Sequence, residues 1–319
     1  MEAFAAAGAP VAQSAEAGDL KSLQSGFESQ RGYVFQALVD DARTGLRWSA
    51  RVVDVASGET LAEHEPARVL PTASIGKILL LLELSRRFRT RELDPSASVD
   101  RGDEQVADSG LWQVLDAASL TLGDAARLVG AVSDNLATNV LLDTVGLHAV
   151  ARMATFLGLR DTALLDRVRD ERGPRHPLAL SRGSAAELAS LAAAVERGEA
   201  VDPDVSAEVR GWLSLGTDLS MVASAFGLDP LAHRDPDRGI ALWNKTGTDA
   251  RVRADVGVVR GPQRAVAYAV LAEWAPTADT GVRDVVLEAM RDTGRRLRSL
   301  LDRDTSTAGR TARAPGSRL

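Results

Sequence analysis

Strand-forming sequence lies near both ends of this chain, and a long helical stretch separates the two groups. Leu46–Asp54, with Trp48, Val52 and Val53, reads as a strand; Ser57–Gly58 is a turn, and Thr60–Glu63 returns beside the first strand. Strand signals resume at Ile240–Trp243, then at Val252–Arg260 and Ala265–Trp274, which flank Gly261–Pro262 as a hairpin. Residues 85–225 are mostly helical in pattern, with leucine, valine and alanine at helical spacing over Leu122–Val132, Leu136–Asp143, Ala185–Val195 and Val205–Leu213. Further helices are predicted within Leu20–Ala42, from Ser74 along the apolar stretch to Leu82 and again from Leu84, and over Val282–Leu301. Strands so far apart in sequence must pair with each other. The expected fold is therefore α+β: an antiparallel sheet flanked by terminal helices, with an all-helical lobe inserted and a binding cleft between the lobes. On that reading residues 20–70 and 225–302 form the α/β lobe and 71–224 the helical lobe. Residues 1–19 are expected to be a flexible N-terminus and 303–319 a disordered tail.

Composition narrows the function classes. The chain has 319 residues, 45% of them hydrophobic, enough for a large core. Its net charge is -6 and its arginines are interspersed with acids, so no basic block points to nucleic acid. Cysteine is absent, which excludes disulfides, thiol catalysis and cysteine-ligated metal. No cofactor, metal or membrane segment is expected, and the longest strongly apolar run, Ile78–Leu82, is far too short to span a bilayer. Met1–Asp19 contains Glu2, Glu16 and Asp19 and has no basic region before an apolar run, so no secretory signal is visible. A cytoplasmic monomer is expected, or a secreted or periplasmic one if a leader precedes this sequence.

Lysine usage singles out the chemistry. Only three lysines accompany 35 arginines, and two of the three sit in short polar motifs: Lys77 in Thr72-Ala73-Ser74-Ile75-Gly76-Lys77, and Lys245 in Lys245-Thr246-Gly247. A buried lysine can lose its proton and act as a base, which arginine cannot. Ser74 and Lys77 are three apart and share a helix face, so the pair reads as a serine nucleophile with a lysine activator. Backbone N–H groups near a helix N-terminus would serve a developing oxyanion. Ser133-Asp134-Asn135 is a short polar break between two apolar helices, fit either to cap them or to supply a proton-relaying hydroxyl and an orienting amide. Lys245-Thr246-Gly247 follows a strand and either closes it at a turn or offers a cation and a hydroxyl to a substrate carboxylate, with Gly247 letting ligand approach the backbone. Thr72–Gly76 lacks the first glycine of a nucleophile elbow, and His64, His148, His176 and His233 carry no evident role.

Taken in order, Ser-x-x-Lys, Ser-Asp-Asn and Lys-Thr-Gly resemble the signature set of class A β-lactamases and penicillin-binding proteins over roughly residues 20–302. The resemblance implies that Ser74 is acylated and Lys77 helps activate it. It implies that Ser133 relays a proton to the leaving nitrogen and that Asn135 contacts Lys77 and the substrate amide. Lys245 and Thr246 would hold the carboxylate of a small-molecule substrate, Arg253 would add a second positive charge, and the N–H groups of Ser74 and Thr248 would form the oxyanion hole. One departure stands out. The family's deacylating glutamate lies in a Glu-x-x-Leu-Asn omega loop after an Asp-Arg pair. Here Asp166-Arg167 continues as Val168-Arg169-Asp170-Glu171-Arg172-Gly173-Pro174, and the glutamate's place falls close to Arg169. Glu171 or Asp170 is the expected substitute base. Three functions stay open: a β-lactam hydrolase with slow deacylation; an esterase, amidase or transpeptidase-like acyl transferase; or a covalent β-lactam-binding domain without turnover.

Overall fold

The computed structural model describes residues 33–102, 106, 109–278 and 281–301. The expected flexible N-terminus, residues 20–32 of the first predicted helix and the expected tail from Arg303 lie outside them. That first helix does not reach Ala42. Its last helical residue is Val34, after which Asp41 bridges to Leu46 and the Asp40 carboxylate accepts the Trp48 amide at 3.0 Å. Asp and Asn side chains that bond nearby backbone favour such turns over helix.

Strands β1 (Arg47–Asp54), β2 (Thr60–His64) and β3 (Val69–Pro71) lead to a 3₁₀ turn, Ala73–Gly76, which runs into helix α1 (Lys77–Arg89). Two short strands, β4 (Ser98–Asp100) and β5 (Ser119–Thr121), pair with each other before α2 (Leu122–Val132), α3 (Asn135–Val145) and α4 (Leu147–Phe156). Then come β6 (Ala163–Leu164), β7 (Ser181–Ser184), α5 (Ala185–Arg197) and α6 (Pro203–Leu213). The chain closes with β8 (Ala241–Asp249), β9 (Val252–Arg260), β10 (Ala265–Glu273) and α7 (Val282–Leu301).

The main sheet is antiparallel, in the order β2-β1-β10-β9-β8. The early and late strands of the chain join where β1 pairs with β10, from Arg47 opposite Glu273 to Asp54 opposite Val266. Period-two alternation sends the side chains to two cores. Val53, Val256, Val258, Ala269 and Leu271 face the helical side, including Leu188 and Ala192 of α5. Trp48, Val52, Val259, Tyr268 and Val270 face Val286, Met290 and Leu297 of α7.

Helix α1 is buried all round from Lys77 to Ser85, a stretch surrounded by protein. Residues 78–82 and Leu84 are buried, and even Glu83 is buried, held by Arg86 at 2.9 Å and Arg87 at 2.7 Å. A side chain at the first position of this helix is thereby carried into the interior, and that position is Lys77.

Candidate active site

The turn that carries Ser74 is set by a clamp. Pro71 ends β3, Ala73 takes a positive φ of 48°, and Ser74 is the second residue of the 3₁₀ turn. Three residues per turn stack Ser74 over Lys77 more directly than an α-helix would. The buried Ser181 hydroxyl bonds the Thr72 hydroxyl (2.7 Å), the Ala73 carbonyl (2.5 Å) and the Gly76 amide (3.3 Å), so it touches the turn on both sides of Ser74. On the strand side, a Cβ on Gly247 would lie 2.1 Å from the Thr72 carbonyl oxygen. The space that Gly247 leaves is therefore filled by the turn itself, a correction to the expected approach of ligand there.

Lys77 is fully buried, and its amine bonds the Ser133 carbonyl (2.7 Å), the Asn135 Oδ1 (2.8 Å) and the Ser133 hydroxyl (3.2 Å). Burial drives this amine well below the ordinary lysine range; the charge of Lys245 adds to the shift and Asp134 opposes it. The amine donates to all three oxygens. Ser133 itself caps α2 in the left-handed region, φ 56°. Asp134 caps α3, accepting from the amides of Ala137 (2.8 Å), Leu111 (2.7 Å) and Trp112 (2.9 Å). The junction thus caps both helices and also sets the Ser133 hydroxyl against the Lys77 amine.

The third group lies on β8, which runs on through Lys245, Thr246, Gly247 and Thr248 to Asp249. Lys245 is buried and donates to the Thr246 carbonyl at 2.9 Å. Burial lowers its amine to about 8, while Asp218 and Asp255 pull the other way. With its amine near 8, Lys245 is still mostly charged at neutral pH. Behind the strand, buried Asp255 accepts from Asn244 Nδ2 (3.0 Å), Tyr268 (3.1 Å) and the Ala223 amide (3.3 Å). Burial still pushes Asp255 up to about 6. Arg253, opposite Thr248 in the ladder, donates to the Asp249 carbonyl at 2.7 Å, and its guanidinium lies over Trp274 at 5.8 Å.

The last wall is the segment after Asp166. Asn139 of α3 tethers it, donating to the Val168 carbonyl (3.0 Å) and accepting the Val168 amide (2.9 Å). Asp166 accepts from Arg169 Nε (2.9 Å), Arg172 Nη1 (2.7 Å) and the Arg167 amide (2.8 Å). Burial alone would raise its carboxyl, but these bonds hold it below the ordinary range.

Ser74, Ser133, Asn135, Lys245, Thr246, Thr248 and Arg253 all line one cleft of about 650 Å³, with Lys77 buried behind its wall. From the Asp166 segment, Val168, Arg169 and Arg172 line it. Asp170 and Glu171 are exposed and do not, which corrects the expectation that one of them activates water there. None of the four histidines lines the cleft, and no acidic or histidine cluster among the described residues is arranged to hold a metal. The sequence matches the model of the Beta-lactamase enzyme family over residues 34–298.

The chain belongs to the β-lactamase enzyme family. The β-lactamase regulatory protein BlaB of Streptomyces cacaoi is 26% identical over 304 residues, covering 81% of this chain and 93% of that protein. A β-lactamase from Sphaerobacter thermophilus superposes with a TM-score of 0.72 at 26% identity, over 85% of this chain and 97% of that one. PBP-A superposes with a TM-score of 0.71 at 18% identity, over 86% and 96%, a likeness of fold. The fold is that of the β-lactamase-like serine hydrolases, and no helix among the described residues is long and apolar enough to cross a membrane.

Within this β-lactamase-family cleft, four residues escape sequence reasoning. Ser181 sits in Ser-Arg-Gly-Ser, which carries no strand period, and only the fold brings it to the turn that carries Ser74. Asn139 is one more polar residue on an apolar helix. Thr217 and Asp218 reach the cleft because the Thr217 amide bonds the Ala131 carbonyl at 2.9 Å, tying a loop to the end of α2.

Proposed function

We propose that this chain opens a β-lactam or related amide through an acyl-serine intermediate, with acylation much faster than release. Ser74 Oγ attacks the carbonyl carbon, its proton passes to Lys77, and a C–O bond forms as the C–N bond breaks. Ser133 donates its proton to the leaving nitrogen and is reprotonated from Lys77. Lys245, Thr246 and Arg253 hold the substrate carboxylate, and the N–H groups of Ser74 and Thr248 hold the oxyanion. The observation that carries this reading is a fully buried amine, bonded to Ser133 and Asn135, behind a cleft that also holds Ser74.

Slow release follows from the other wall. Water needs a base near the ester, and a well-placed one contributes ~10²–10⁴ in rate. Among the described residues the Asp166 segment turns arginines, not carboxylates, into the cleft. The same observation favours a second reading, a covalent β-lactam-binding domain that stays acylated. The name of the Streptomyces cacaoi relative, a regulatory protein, is in keeping with it. A chromogenic β-lactam tests the proposal. A burst equal to the protein concentration, followed by slow turnover, is expected, with Ser74→Ala giving neither phase. Rapid steady hydrolysis without a burst contradicts slow release, and no reaction at all favours an acyl transferase for another substrate.

A further inference from the structure

We infer that Arg169 and Arg172 select substrates carrying a second anionic group, on the acyl side of the bond that Ser74 attacks. The inference rests on the acyl-serine reading and names the substrate class of that site: dicarboxylates, one carboxylate for β8–β9 and one for the Asp166 segment. The two arginines come from a different wall than Lys245 and Arg253. Their segment is anchored on α3 through Asn139 and Val168, whereas Lys245 and Arg253 belong to neighbouring strands. Both arginine side chains line the cleft and are 31% and 20% exposed, so both present surface to it.

Their placement is fixed rather than floppy. Asp166 engages Arg169 through both carboxylate oxygens, Nε at 2.9 Å and Nη2 at 3.2 Å, and engages Arg172 at 2.7 Å. Arg172 also donates to the Pro177 carbonyl at 3.2 Å. Because these bonds keep Asp166 ionised, it orients two guanidiniums with one buried carboxylate. Guanidinium is charged at any working pH and presents planar donors suited to a carboxylate. The carboxylates that do line the cleft among the described residues, Asp218 and Asp249, act on the Lys245 and Arg253 side: Asp218 opposes the burial of both cations, and the Asp249 carbonyl receives Arg253. Anion repulsion is thus concentrated on one wall and cationic donors extend over both.

The test uses Ser74→Ala protein, so that binding is read without acylation, and two penicillins differing only on the acyl side: benzylpenicillin and its α-carboxybenzyl analogue. Calorimetry is expected to show the α-carboxy compound binding roughly tenfold tighter, the scale of a charge-assisted bond. The preference should shrink with added salt and fall toward unity when Arg169→Gln or Arg172→Gln is added. Equal affinities in the arginine-intact protein overturn the inference and need no further variant to do so. So does a preference that survives both arginine replacements, or no measurable binding of the dianion at millimolar concentration. Acylation of the unmodified protein is scored separately by intact mass. A dianion preference without any Ser74 adduct would sink the acyl-serine reading and leave the anion site standing; adducts from both penicillins with equal affinities would do the reverse.

Discussion

The junction Ser133–Asn135 and the segment Asp166–Arg172 face the same cleft, and each is organised by one buried aspartate. Asp134 is satisfied by three backbone amides, those of Leu111, Trp112 and Ala137. Asp166 relies chiefly on two arginine side chains. Backbone donors are positioned by the fold, so the Lys77, Ser133 and Asn135 geometry is inherited from helix packing. Side-chain donors are positioned only by their own contacts, so the second wall can change its chemistry without disturbing the first. On the proposed acyl-serine reading, acylation and release are built by different means, and one can be lost while the other is kept.

The comparison is tested most severely at Lys77. Its replacement by arginine should slow acylation by ~10²–10⁴, nearly as much as alanine, because a permanent cation cannot receive the Ser74 proton. Stopped-flow acylation of the two variants and the parent measures this. An arginine variant within a few-fold of the parent would remove the proton-accepting role.

Stability should separate the two aspartates. Asp134→Ala strips the acceptor from three backbone amides and should destabilise by about 3 kcal/mol, whereas Asp166→Asn should cost about 1 kcal/mol because its arginine partners can turn to water. Urea unfolding of both variants decides it; similar losses would erase the distinction between backbone and side-chain anchoring.

The dependence on pH has a definite sign. Lys77 must be neutral to accept a proton, so acylation falls when acid protonates it. Lys245 must be charged to hold a carboxylate, so kcat/KM for acylation falls as pH rises through about 8. A pH profile flat across the region of Lys245 would show that its charge is not used in binding.

The smallest effect expected is on the exposed acids. Asp170→Ala and Glu171→Ala should each change deacylation by no more than about twofold, as surface substitutions do. A variant that traps the acyl group would restore that residue as the base.

What the sequence disclosed follows the same division. Ser74, Lys77 and Ser133 are legible because local helix geometry and a helix junction dictate their placement. The main strands and α7 were legible from apolar period, and Val282–Leu301 matches to the residue. Sequence pattern marks strand β8 only to Trp243 because Asn244, Lys245 and Thr246 are polar yet buried, which no alternation pattern signals. The short strands β3, β6 and β7 carry too few residues to show a period. The Asp166 segment was illegible in a deeper sense: residue types announced charges, but only the fold shows that Arg169 and Arg172 turn inward while Asp170 and Glu171 stay out.

The most direct test of the central claim is the lifetime of the Ser74 adduct. The protein is mixed with excess benzylpenicillin, the free drug is removed, and intact mass is followed with time, the site being mapped by proteolysis. The account predicts one adduct per chain, on Ser74, that decays at least ~10²-fold more slowly than it forms, the effect of a missing general base. An adduct that disappears as fast as it forms, or one on any other residue, would contradict it.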